Sequence, residues 1–249
     1  MQKCKNMTQS KTLIFIPTYN EVENVGRIFF EIKSFNLDAD ILFLDDNSPD
    51  GTGEVIDKLV QQNNNLYAIH RAKKSGIGSA HQEGIAWAYE KNYEVLITMD
   101  CDFTHSPSYI FNFIQAGSKA DIVVGSRYMK KNSLASWNLF RKTLTHFGHF
   151  LTVTLLDMPY DASGAFRLYN LKNIDRKLFQ IVGSPGYSFF FESLFVLNYN
   201  KITIREIPIE LPSRTYGTSK MTWKDAWNSL IFLLNLYKRK LFDKNSLHL

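Results

Sequence analysis

The chain has 249 residues, a formal net charge of +5 and a pI near 9.0; 45% of its residues are hydrophobic and 21% charged, the ordinary balance of a soluble globular protein with a sizeable core. Two cysteines, Cys4 and Cys101, are too few for a disulfide scaffold, and no stretch reaches the roughly 18 unbroken apolar residues of a spanning helix. The mild basic excess suits an anionic ligand, whether phosphate, nucleotide, lipid surface or nucleic acid.

The opening MQKCKNMTQSK is polar, has no apolar core of a signal peptide, and predicts a cytoplasmic, reducing setting. TLIFIPT (12–18) predicts a buried strand and EVENVGRIFFEIKSF (21–35) a helix. DILFLDD (40–46) and LYAIH (66–70) predict two more strands around a helix at 51–62. A helix at 78–91 leads to the strand EVLITMD (94–100), and a helix near 107–117 to the strand DIVVGSR (121–127). Strands alternating with helices at this spacing predict an α/β fold with a mostly parallel sheet covered on both faces. Beyond residue 130 the alternation is lost without any linker composition, so one domain is expected over 1–249. Helices are predicted at 139–156, 186–198 and 223–242, and strand-like runs at 162–170 and 202–212. Thr222 with Asp225 three positions later has the spacing of a capping box.

Polar clusters follow the apolar strands: PTYNE (17–21), DDNSPDGT (45–52), DCD (100–102) and GSRY (125–128). Asp, Asn, Ser, Pro and Gly end strands routinely because they make turns. Four unusual clusters at four carboxyl ends nevertheless point to one crevice, the place where open parallel sheets bind ligands. Asp45 and Asp46 are read as a turn that also presents one carboxylate to a nucleoside. SGIGSA (75–80) has the look of a phosphate cradle, although glycine serves a helix start equally well.

Three readings compete for Asp100 and Asp102. On an extended chain, residues i and i+2 face the same way, and two like charges there need a cation between them. Hard divalent cations take oxygen ligands and share them with substrate phosphates. Cys101 then faces the packed side of the sheet; without a CxxC partner it has no redox role. Asp100-Cys-Asp-Phe-Thr104 also matches the DxDxT motif of haloacid-dehalogenase-type phosphatases, but that motif ends a first strand and this one ends a fourth.

In order, PTYNE, DDNSPDGT, KKSGIGSAHQEG, MDCDFTHSP, GSRY, SGAFRLY and RTYGTSKM resemble the family-2 glycosyltransferases of GT-A fold over nearly all of residues 11–222, most of all the dolichyl- or polyprenyl-phosphate mannose synthases. The resemblance implies a nucleotide-sugar half over 11–128, an acceptor-side half over 129–220 and an amphipathic helix over 221–242. It implies that Pro17, Tyr19, Glu21 and Asp46 hold the nucleoside, with Gly76 in the phosphate cradle. It places Asp100 and Asp102 on Mg2+ or Mn2+, and Arg127 and Arg141 on the acceptor phosphate with Thr145 beside them. Arg214, Ser219 and Lys220 fall near the donor diphosphate. Such enzymes often carry a glutamine two residues after the second aspartate; Thr104 stands here and is expected to join the metal shell weakly or through water.

The implied reaction is an inverting transfer of mannose from GDP-mannose to a dolichyl or polyprenyl phosphate at the cytoplasmic face of a membrane, a step of glycolipid synthesis. Trp223, Trp227, Leu230, Leu234 and Leu241 recur at helical spacing, with Lys238, Arg239 and Lys240 at the basic end, which suits a helix lying in a membrane interface, alone or with a membrane-bound partner. The histidines His146 and His149 have no companions that complete a metal set. The alternatives are another donor such as UDP-glucose, a non-catalytic nucleotide-sugar-binding subunit, and nucleic-acid binding. The scattered basic residues and the lack of a base-stacking motif speak against nucleic acid.

Overall fold

The computed structural model describes residues 11–131, 133–135, 137, 139–212 and 222–249. The first half runs β1 (Thr12–Thr18), α1 (Val22–Ser34), β2 (Ala39–Asp45), α2 (Thr52–Gln61), β3 (Leu66–His70), α3 (Ile77–Glu90), β4 (Val95–Thr98), α4 (Ile110–Gly117) and β5 (Ile122–Ser126). The second half adds α5 (Leu139–Leu156), β6 (Arg167–Asn170), α6 (Lys177–Ile181), α7 (Phe189–Tyr199), β7 (Ile204–Pro208) and α8 (Trp223–Phe242). The seven strands form one sheet in the order β3-β2-β1-β4-β6-β5-β7. Only β6 is antiparallel, to β4 and to β5; the other neighbours are parallel, as expected.

The period of two along β1 divides the core. Leu13 and Phe15 face one layer with α3, α6, α7 and the inner side of α8. Ile14 and Ile16 face the other, against Val25, Ile28, Phe29 and Ile32 of α1 and residues of α2 and α4. The α1 residues sit at i, i+3, i+4 and i+7, the stripe that predicts a half-buried helix. Helix α7 is buried all round from Phe189 to Leu197, Glu192 included.

Three strands are clearly shorter than expected: β7 keeps only Ile204–Pro208 of the run 202–212, and the other two are cut back for local reasons. The run 162–170 becomes a strand only at Arg167, because the Arg167 side chain donates to the carbonyls of Ala162 and Gly164 and holds the preceding residues as a loop. The strand predicted over 94–100 stops at Thr98, so Asp100 and Asp102 lie in a bend beyond its end. They share a side because of that bend, in which Phe103 takes φ +61°, rather than because the chain is extended.

The start of α3 is built on glycine. Gly76 has φ +98°, and the Ser79 N–H donates to the Pro185 carbonyl. A Cβ on Gly78 would lie 2.6 Å from the Ser184 and Gly186 oxygens, both backbone atoms. Gly78→Ala is therefore expected to cost about 1–3 kcal/mol. Denaturant unfolding with an unchanged m-value checks it, and a loss below a few tenths would contradict it.

Candidate active site

The carboxyl ends of β1 and β2 are joined by side chains that cap a helix. Helix α1 has no side-chain cap of its own. Its first amides, and those just before it, are met instead from DDNSPDGT: Asn20 N–H donates to Ser48 Oγ, Glu21 N–H to Thr52 Oγ1, and Val22 N–H to Asp50 Oδ2. Asp45 stays in the turn, accepting from the Ser48 amide and hydroxyl and from Thr18. Asp46 turns to the cleft side, where it pairs with Arg71 at 2.9 Å and accepts the amides of Ser75 and Gly76. The double acidic motif thus divides, Asp45 belonging to the turn and Asp46 lining the cleft. Asp46 also sets the loop that carries Lys74 and Gly76.

Beyond β4, the Asp100 amide donates to His105 Nδ1 at 3.0 Å, which puts the neutral ring's proton on Nε2. The Thr104 amide and hydroxyl both donate to Asp102 Oδ1, at 3.1 and 2.6 Å. Asp102 is buried and Asp100 partly exposed. Thr104, expected near a metal, thus acts first on Asp102, whose carboxylate it orients. Cys101 packs with Met99 and Phe113 in the core layer.

Beyond β5, Arg127 is buried and forked onto Asp161. Burial pulls the guanidinium pKa down, but the Asp161 charge and hydrogen bonds more than compensate, so its pKa is raised. Arg141, on the first turn of α5, lies over the Trp137 ring at 3.5 Å. Lys74 lies over the Tyr19 ring at 3.8 Å.

These parts meet in one cleft of about 380 Å³. Pro17, Tyr19, Glu21, Asp46, Gly76, Asp100, Asp102, Thr104, Arg127 and Arg141 all line it. Thr145 of α5 does not; its carbonyl accepts from the Tyr128 hydroxyl. Arg214, Ser219 and Lys220 lie outside the described residues. His149 stacks on Tyr128 at 4.0 Å, a packing role for a histidine of this helix. Sequence reasoning missed Lys74, His105, Trp137, Ser163 and Asp225 as wall residues, and Asp161 behind Arg127. The only signal for Asp161 was its place just before SGAFR.

The floor of the cleft is held by a fully buried arginine. Arg167 donates to the carbonyls of Ala162, Gly164 and Phe190 and to the hydroxyls of Ser193 and Tyr169, all neutral. It keeps Ser163, Gly164 and Ala165 in the wall.

Among the described residues no group of three or more His, Cys, Asp or Glu side chains gathers as a closed metal site. Asp100 and Asp102 remain as a pair of hard oxygen donors in a cleft that Lys74, Arg127 and Arg141 also line. That donor set fits an oxygen-seeking divalent cation whose remaining ligands come from a substrate.

Residues 13–179 match the family described as Glycosyl transferase family 2. The chain is 30% identical over 213 residues to an undecaprenyl-phosphate mannosyltransferase of Micrococcus luteus, covering 85% of this chain and 88% of that protein. It is 32% identical over 215 residues to a polyprenol monophosphomannose synthase of Mycolicibacterium smegmatis, covering 85% and 81%. Among solved structures it resembles glucosyl-3-phosphoglycerate synthase from Mycobacterium tuberculosis, in complex with Mn2+, UDP and phosphoglyceric acid, with a TM-score of 0.66 at 15% identity over 92% of this chain and 79% of that one. A mannosyltransferase from Pyrobaculum calidifontis, in complex with GDP-Man and Mn2+, has a TM-score of 0.53 at 14% identity over 84% and 59%. These two show a shared fold, and the sequence matches show the rest: the chain belongs to glycosyl transferase family 2 and has the GT-A-like α/β fold of its structural neighbours.

Proposed function

We propose that the chain transfers mannose from GDP-mannose to a polyprenyl or dolichyl phosphate, with inversion, at a membrane surface. One observation carries the reading. The carboxyl ends of β1, β2, β4 and β5 meet in a single cleft whose acidic pair, Asp100 and Asp102, shares it with Arg127 and Arg141. The names of the curated relatives favour mannose and polyprenyl phosphate over another donor or acceptor.

Asp100 and Asp102 would hold Mg2+ or Mn2+, which supplies Lewis acidity to a leaving diphosphate. Thr104 orients Asp102. Pro17, Tyr19, Glu21 and Asp46 form the wall for the nucleoside, with Tyr19 backed by Lys74. Arg127 and Arg141 orient the acceptor phosphate and neutralise part of its charge. Arg214, Ser219 and Lys220 complete the donor side in this reading.

An alcohol acceptor needs a general base; a phosphate monoester, with a second pKa near 6, is already largely a dianion. The chain therefore needs no essential base. Glu21→Gln, Asp225→Asn and Glu192→Gln are each expected to leave measurable turnover. Glu192 is fully buried on α7, accepts the Gly183 and Ser184 amides, and is not part of the cleft wall. Complete loss of activity in Glu192→Gln, with fold and donor binding intact, would contradict this.

The membrane side of the proposal rests on α5 and α8. Phe147 and Phe150 of α5, and Trp223, Trp227, Ile231, Leu234 and Phe242 of α8, are exposed. No described helix is long and apolar enough to cross a membrane. An apolar stripe beside the exposed Lys238 suits the acyl–headgroup boundary on the cytoplasmic face, while Arg239 and Lys240 turn back onto Ser246 and Asp157.

The test is to incubate the protein with Mn2+, a short polyprenyl phosphate and each nucleotide sugar in turn, and to analyse the lipid. Mannolipid from GDP-mannose is expected. Glycolipid from a UDP-sugar alone would reassign the donor, and donor binding without transfer would indicate a non-catalytic subunit.

A further inference from the structure

We propose that Asp161 is a positioning residue for sugar transfer, holding Arg127 so that a single guanidinium nitrogen, Nη1, meets the acceptor phosphate. The inference rests on the acceptor-phosphate reading of the cleft.

Asp161 is fully buried and binds Arg127 through three donors. The Arg127 amide and Nε donate to Oδ2 at 3.0 and 2.7 Å, and Nη2 donates to Oδ1 at 2.9 Å. Nη2 also donates to Ser163 Oγ at 3.2 Å. Both arms of the usual bidentate fork are thus committed inside the protein. Nη1 makes no hydrogen bond to a described residue, yet it is not among the buried unpartnered atoms, and Arg127 lines the cleft. The carboxylate is itself anchored from β7, because the Asp161 amide donates to Glu206 Oε1 at 2.7 Å.

This arrangement has two consequences. An arginine locked before its ligand arrives loses little rotamer freedom on binding. With one nitrogen left, it orients a phosphate rather than clamping it, and the larger share of neutralisation falls to Arg141. Asp161 is also the carboxylate most easily mistaken for a general base, being next to a proposed phosphate site without touching the cleft surface itself.

The test measures initial rates at saturating GDP-mannose with a short polyprenyl phosphate varied, alongside direct calorimetric binding of each substrate. Asp161→Asn is expected to raise the acceptor KM about tenfold or more, because one partner of a buried charge pair is lost and Arg127 is released. GDP-mannose affinity stays within about twofold and the kcat–pH profile does not move, as for a loss confined to the acceptor's contacts. In an Arg127→Gln background the same change adds less than about twofold, since two groups acting as a unit are non-additive. Asp161→Glu, which keeps the charge, falls between wild type and Asp161→Asn. Equal losses in both backgrounds, a parallel loss of donor affinity, or a shifted pH limb would each overturn the proposal. If Asp161→Asn does not fold, Asp161→Glu carries the test: an unchanged acceptor KM overturns it. If the wild type transfers no sugar but binds the polyprenyl phosphate, and the substitution weakens that binding, the positioning role stands and the transfer reading falls. Absence of acceptor binding by the wild type overturns both.

Discussion

Asp102→Asn lowers kcat on the order of a thousandfold while the fold is kept, the scale expected when a group that stabilises a leaving charge is removed from a dry site. The oxygen of asparagine still accepts the Thr104 amide and hydroxyl that now bind Asp102 Oδ1, so the bend after β4 retains its local bonds. Removing one of two neighbouring carboxylates also relieves like-charge repulsion in the free protein. Stability is therefore expected to hold or rise as activity collapses, the opposite of what a damaged core gives. Initial rates across an Mn2+ titration, with thermal melts of both proteins, check the prediction. More than a tenth of wild-type kcat at saturating Mn2+ would remove Asp102 from the metal role. Asp100→Asn is expected to share the loss of activity, from the more exposed side of the pair.

Acidification destabilises the wild type through His81. This residue of α3 is buried among Phe15, Phe189 and Phe190, and its Nε2 has no hydrogen-bond partner. Burial, with smaller contributions from the charges of Arg167 and His105, lowers its pKa from 6.5 to about 3. A depressed histidine pKa means the folded state binds fewer protons than the unfolded one across that interval. Its stability is full above pH 6.5 and is lost progressively as the pH falls towards 3. At pH 4 the loss amounts to about 3 kcal/mol from this one group, at 1.36 kcal/mol per pH unit. His81→Phe keeps a ring among the three phenylalanines and removes the titration. Its packing cost does not depend on pH, so it cancels when unfolding free energies at pH 7.5 and pH 4 are subtracted. An acid-dependent loss as large in His81→Phe as in wild type would show that other groups carry it.

The first half of the chain was legible because each of its elements announces itself locally. β1 to β5 are short apolar runs, and α1 to α4 carry helical stripes, so period and turn chemistry suffice. That Pro17, Tyr19, Glu21, Asp46, Asp100 and Asp102 gather in one crevice follows from position, since they sit at carboxyl ends of parallel strands; the nucleoside role proposed for the first four is implied by the family resemblance. The second half was legible as elements but less so as topology. SGAFRLY predicts a strand; nothing in its composition says that it enters antiparallel between β4 and β5. The bend that brings Asp100 and Asp102 to one side was also misjudged as extended chain, because the His105 and Thr104 bonds that shape it depend on side-chain geometry.

By itself the sequence determined the α/β class, the crevice at the strand ends and the residue types gathered there, which depend on periodicity and on the residues next to each strand. The family came from the resemblance carried by its motifs in order. Only the tertiary structure decided the partners: Asp161 on Arg127, Arg71 on Asp46, Trp137 under Arg141 and the carbonyl cage around Arg167. A charged side chain carries no mark of whether it faces substrate, solvent or a buried counter-charge. That choice belongs to the order of strands in the sheet, which places Arg127 beside a carboxylate 34 positions further along the chain.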